Sequence, residues 1–239
     1  MKYWFSLIYV FFVLAVNSQA NSGIIEYKIN VNSDYNKKDV NKVGAMLNES
    51  AKYVVQFEFE LLFNQNNESL FKIKDNLLVG EEETFASKSA KLFSGAEETY
   101  YLNKTLDLKI NERPFLGELF LIHSRFNSIE WHITKERKAI EGYVCYKATA
   151  VLKKDKTIRK DRKITAWFCP DIPLNQGPKG YAGLPGLILE LQEEDIIYYA
   201  SKISFSKAPI TIIRPTKGKK ITVSEFQDYV LEKIEEFGF

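Results

Sequence analysis

The sequence predicts a mainly β fold: a curved antiparallel sheet or partly open barrel, with a short helix in the N-terminal half and a C-terminal helix packed on it. Three observations carry that prediction. Val55, Phe57, Phe59 and Leu61 alternate with Gln56, Glu58 and Glu60, the period-2 signature of a half-buried strand. Short apolar runs rich in Tyr, Phe and β-branched residues recur along the chain between polar turns, and such residues suit a pleated, half-buried surface. Finally, Gly183-Leu184-Pro185-Gly186 is a proline–glycine corner that feeds directly into apolar Leu187-Ile188-Leu189. Proline pre-sets φ and glycine accepts positive φ, so Leu184-Pro185-Gly186-Leu187 has type II turn chemistry and would set strand register.

The elements follow in order. Met1-Lys2, the uncharged apolar run Tyr3 to Val16 and Ser18-Gln19-Ala20 have the layout of a cleavable secretory signal peptide over residues 1–20. That run is too short to span a bilayer, which needs roughly 20 residues. No cysteine lies near the cleavage site, so no lipid attachment or transmembrane anchor is expected in the mature chain, residues 21–239, read as a single domain. Gly23 to Ile29 reads as the first strand, and Lys38 to Lys52 as a short helix. Tyr53 to Leu61 is a strand, partnered by Ser69 to Lys74 across the turn Asn64-Gln65-Asn66-Asn67. Residues 80–97, acidic and rich in small residues, read as a mobile loop. Further strands are expected at about 97–103, 105–110, 118–123, 129–134, 141–152, 162–169, 186–192, 195–206 and 209–213. The C-terminal helix would start at Ser224 as N-cap with Gln227 completing a capping box, and present Phe226, Val230, Ile234 and Phe237 as one stripe. Terminal Phe239 is shared with the last strand of many outer-membrane barrels, but the helical period before it argues against a barrel.

The formal net charge of the full chain is +2, and removing Lys2 with the signal peptide leaves +1. Nucleic-acid binding normally needs a clear basic excess, so nucleic acid is not expected as a partner. The densest charge is the stretch 153–163, with seven Lys or Arg and two Asp. It reads first as a solvated hairpin tip that resists edge pairing; contact with anionic lipid headgroups or glycan is the alternative.

Two cysteines in an exported chain raise the question of a disulfide. A hairpin centred on Thr157 sets Cys145 directly opposite Cys169, and directly opposed Cβ atoms lie about 4.5–5.5 Å apart, close to disulfide geometry. The alternative is a pair of buried thiols, since a one-residue slip would send the two side chains to opposite faces.

From Trp131 to Leu189 the chain resembles the GLPGLI family of exported proteins from diderm bacteria. The matching pieces are Trp131-His132-Ile133, Ile140 to Ala148, Ala166-Trp167-Phe168, Asp171-Ile172-Pro173, Gly177-Pro178 and Gly183 to Ile188. The resemblance implies export, a mostly β domain and association with outer-membrane systems. The family is defined by its signature and has no established activity, so the resemblance implies no catalytic residue and no cofactor.

The residues themselves offer little chemistry. The Gly/Pro-rich stretch 177–186 would bind an anion only if it led into a helix N-terminus, and it leads into a strand. His123 and His132 stand alone, with no second ligand at metal-site spacing. No Gly-x-Ser-x-Gly elbow exists, and Cys145 and Cys169 look paired rather than activated. No catalytic, cofactor or metal residues are therefore assigned. The expected function is non-catalytic binding of an apolar ligand, or of an outer-membrane or periplasmic partner, through a curved sheet. The alternative is a periplasmic hydrolase in which His123 or His132 converges with carboxylates.

Overall fold

A computed structural model describes residues 22–32, 49–74, 84–158 and 160–237. The expected signal peptide and most of the expected 38–52 helix lie outside the described residues. Among these residues the architecture is an open, curved sheet of twelve strands, and it does not close into a barrel. In chain order these are β1 (Ser22–Val31), β2 (Glu58–Phe63), β3 (Glu68–Ile73), β4 (Thr99–Asn103), β5 (Leu108–Phe115), β6 (Glu118–Ser124), β7 (His132–Ile140), β8 (Tyr143–Leu152), β9 (Arg162–Cys169), β10 (Leu187–Glu193), β11 (Ile196–Ser206) and β12 (Lys219–Thr222). Two helices sit against the sheet, α1 (Phe85–Ser94) and α2 (Val223–Phe237), and residues 49–54 are also helical.

The spatial order is β12-β6-β5-β4-β3-β2-β1-β11-β10-β9-β8-β7. All neighbours are antiparallel except β12, which runs parallel to β6. Tight turns explain the run of hairpins. Leu116-Gly117 and Glu141-Gly142 both have two successive positive φ values, the type I′ geometry whose twist matches that of paired strands. The first strand ends up central because β11 returns to pair with it, with Ile25 opposite Ile203 and Ile29 opposite Tyr198. Ile25, Tyr27 and Ile29 are buried along one face of β1. They join Phe59, Phe71, Tyr100 and Tyr198 in the main core, where Phe59 and Phe71 stack at 5.2 Å.

Four sequence expectations need correction. Residues 85–94, expected as loop, form α1. The Thr84 hydroxyl accepts from the Ser87 N–H as N-cap, and Gly95 at φ 64° closes the helix in the left-handed conformation. Its buried face is Ala86, Ala90 and Ser94, so small residues at helical spacing mark a helix lying close on the sheet rather than a loop. Residues 209–213 form no strand. β11 already has β1 and β10 on its two sides, so a following strand has no place beside it. The chain instead crosses to the far end of the sheet and adds β12. The helix start shifts as well: Thr222, not Ser224, caps α2, and the box closes on Glu225. The Glu225 carboxylate accepts from the Thr222 N–H at 2.7 Å, while the Thr222 hydroxyl accepts from the Glu225 N–H at 3.3 Å. Finally, β2 begins at Glu58, because residues 49–54 are helical and Val55 is exposed.

α2 presses Phe226 onto Phe120 and Ile122 of β6, with rings of Phe226 and Phe120 5.2 Å apart. From the other end of the sheet the β8–β9 tip reaches across, and Lys156 pairs with Asp228 of α2 at 2.5 Å. Both partners are solvent-exposed, so this bridge adds at most about 1 kcal/mol, but it shows how far the sheet curls.

Candidate functional site

The curl leaves a cavity of about 960 Å³ on the concave face, within the size range of small-molecule sites. Alternation along the strands decides what faces it. On β5, Lys109, Asn111, Arg113 and Phe115 point in, while Ile110 packs into a separate cluster with Tyr101 and Leu121 on the opposite face. β6 contributes Ile122 and Ser124, and α2 adds Phe226 and Val230. From the opposite side come Leu152, Arg162, Glu193 and Ile196.

A short 3₁₀ turn, Pro178–Gly180, plugs the floor. Lys179 takes φ 52°, a conformation uncommon for a residue with a side chain, and Gly180 follows at φ 68°. Glycine is required there: a Cβ would lie 2.9 Å from the Tyr100 ring and 3.1 Å from the Lys109 stem. The turn drives the Lys179 ammonium into the interior, where it pairs with Glu193 at 2.7 Å and faces the Tyr198 ring at 5.8 Å. Arg162 pairs with the other Glu193 oxygen. Burial alone would raise the Glu193 carboxyl, but Lys179 and Arg162 together hold it below its ordinary value. A second carboxylate, Glu98, accepts from the Tyr100 hydroxyl at 2.6 Å and the Asn111 amide at 2.8 Å, with Arg113 at 3.6 Å.

Among the described residues, four cations (Lys109, Arg113, Arg162, Lys179) therefore surround two carboxylates on the cavity floor. At the outer lip, Asp155 caps its own turn and Glu194 pairs with Lys160. Lys109 makes no hydrogen bond or ion pair to any described residue, and burial lowers its pKa.

The predicted site residues lie elsewhere. In the corner, Gly186 has positive φ as expected and Gly183 has it too, but the turn is not type II. The Gly186 N–H donates to the Leu184 carbonyl at 2.9 Å, and Leu187 N–H donates instead to Ile172 at 3.0 Å. Leu184 is buried, and Pro185 lies between it and Gly186 on the exposed side of the corner. The Trp131 indole donates to Ala182 at 2.9 Å and the Asn175 amide to Leu184 at 2.8 Å, so the corner is bolted down on both flanks. Tyr27 donates to the Ile188 carbonyl at 2.7 Å where a bulge in β10 frees it. This segment holds the turn that carries Lys179; it does not line the cavity.

Cys145 and Cys169 are free, buried thiols in this structure, so the expected bond is not formed in it. The β8–β9 register pairs Tyr146 with Phe168 and Ala148 with Ala166. Burial, with Cys169 adding to it, pushes the Cys145 thiol up to about 12, and burial raises Cys169. His123 and His132 sit on β6 and β7, near opposite ends of the sheet. His132 is exposed, and the buried Nε2 of His123 has no hydrogen-bond partner. The structure brings neither histidine to the cavity floor. Among the described residues no cluster of three or more His, Cys, Asp or Glu side chains could hold a metal ion, and no helix is long and apolar enough to cross a membrane.

Sequence reasoning missed Lys179, Lys109, Glu193 and Glu98. A lysine between Pro178 and Gly180 was the one available signal, since a charged residue inside a rigid turn is placed rather than free.

Residues 151–190 match a family described as a protein of unknown function (Porph_ging). That span runs from the end of β8 through most of β10 and holds Arg162, Cys169, Lys179 and the 183–186 corner. No curated protein matches the chain. Two crystal forms of PNGF-II are similar in fold, with TM-scores of 0.53 and 0.52 at 12% and 13% identity. They cover 88% and 89% of this chain, which spans only about a third of theirs (33% and 34%). A LolA superfamily protein from Nitrosomonas europaea aligns over 80% of this chain and 88% of its own, at 8% identity and a TM-score of 0.29, too low to mark a shared fold.

Proposed function

We propose that this chain is an exported, non-catalytic binding protein that holds an apolar ligand on the concave face of its sheet. The observation that carries the reading is the cavity of about 960 Å³, walled by Phe115, Ile122, Ile129, Phe226 and Val230 over a polar floor. Apolar walls with a few placed polar groups are what small-molecule sites are made of. The purified chain should bind a fluorescent hydrophobic probe such as N-phenylnaphthylamine saturably and with one-to-one stoichiometry. Signal that rises linearly without saturation would count against a defined site.

The pattern at residues 1–20 supports export to the periplasm or the medium, and the corner at 183–186 supports kinship with the GLPGLI family. In an oxidising compartment we expect Cys145 and Cys169 to join, since the observed β8–β9 register, continued by one residue, sets them opposite each other. Thiol titration of the chain from that compartment, denatured without reductant, should find no free thiol. Two free thiols would refute the bond.

A further inference from the structure

We propose that the cavity's ligand carries an anionic head, a carboxylate or a phosphate, and that Lys109 on β5 is the residue that receives it. The inference rests on the cavity reading above and adds the chemistry of the head. Three observations lead to it.

First, Lys109 lines the cavity yet has no anionic partner among the described residues, while the other three cations of the floor lie within 4 Å of Glu98 or Glu193. A partly buried ammonium without a counter-charge is costly, and a ligand anion would remove that cost. Burial already lowers the Lys109 pKa, in keeping with a charge that lacks compensation. Second, the Lys109 stem is packed against the floor turn. Its stem packs beside Gly180, where an added Cβ would approach it to 3.1 Å, so the 178–180 turn lies against the side chain. Third, the neighbouring inward residue on β5, Asn111, donates its amide to Glu98 but leaves its buried Oδ1 unpaired. A donor and an acceptor without partners thus stand two residues apart on one strand face. An anionic head satisfies Lys109, and one that keeps a hydroxyl, as a phosphate monoester monoanion does, also satisfies Asn111, while the tail follows the wall of Phe115, Ile122 and Phe226.

The test uses four amphiphiles of one chain length, hexadecanoate, hexadecyl phosphate, hexadecanol and hexadecylamine, each displacing the fluorescent probe from the purified chain at neutral pH. At least one anion should bind about tenfold tighter than the alcohol, which is about 1.4 kcal/mol, and the amine should bind no tighter than the alcohol. The carboxylate and phosphate arms show which head the site prefers. Lys109→Met should abolish the gap between the preferred anion and the alcohol, and Lys109→Arg should keep it, with circular dichroism confirming that both variants fold. Equal binding of anions and alcohol, or a preference that survives Lys109→Met, would overturn the role of Lys109 while the cavity reading stands. Failure of all four ligands to displace the probe would overturn both. Should Lys109→Met fail to fold, preference in the unsubstituted chain together with its loss in Lys109→Gln decides the point.

Discussion

A Gly186→Val chain is expected to lose several kcal/mol of stability and to accumulate little soluble product. Two costs add. Gly186 has φ 157°, where residues with side chains are strained by about 1–3 kcal/mol. A Cβ there would also lie 2.1 Å from the Cys169 carbonyl oxygen, and backbone cannot swing aside as a flexible side chain would. Cys169 is fixed by its ladder partner Leu187, so relief requires β9 and β10 to separate. Whole-domain stability is typically only about 5–15 kcal/mol. Gly142→Ala is the matched comparison: φ there is also positive, at 81°, but nothing lies within 4 Å of the added carbon. It should cost the backbone strain alone, about 1–2 kcal/mol. Urea midpoints of the two variants check the prediction, and similar losses would show that the corner tolerates separation of its strands.

The second large effect belongs to the cavity floor. Glu193→Gln keeps the shape of the side chain but removes the anion that Lys179 and Arg162 share. Stranding a buried cation typically costs about 3–5 kcal/mol. The pH dependence gives a separate reading. The folded carboxyl titrates below its unfolded value near 4.5, so its contribution is fully present above that value and fades as pH falls through the folded pKa. The unsubstituted chain should therefore lose stability on acidification below about pH 5, and Glu193→Gln should lack that part of the loss. Parallel pH profiles for the two chains would mean that the ion pairs contribute nothing net.

Much of the fold was legible because strand alternation is a local property. Phe59 and Leu61 alternating with Glu58 and Glu60 announced β2, and Thr157 as the hairpin centre gave the β8–β9 register that pairs Ala148 with Ala166. The errors share a cause: each depends on partners far away in sequence. Ile212 looks like strand, yet the edges beside β11 were already taken. α1 is built from Ala and Ser because it lies close on the sheet, and no single residue reveals how near the sheet is. The candidate site was almost wholly hidden. Lys109 and Lys179 come from segments 70 residues apart, and only the curl of the sheet puts both on one cavity floor. The glycine-rich corner that drew the eye is the scaffold that fixes Lys179 in place.

If the concave face holds a ligand, a side chain that fills the cavity must exclude it. Ile122→Trp places an indole where the wall of β6 meets Phe226, with β6 ladder bonds untouched. Native mass spectrometry of the mature chain mixed with hexadecanoate should show a single one-to-one adduct, and Ile122→Trp, folded by circular dichroism, should lose it. An adduct that persists in the folded, filled variant, or none with the unsubstituted chain, would contradict a ligand held in this cavity.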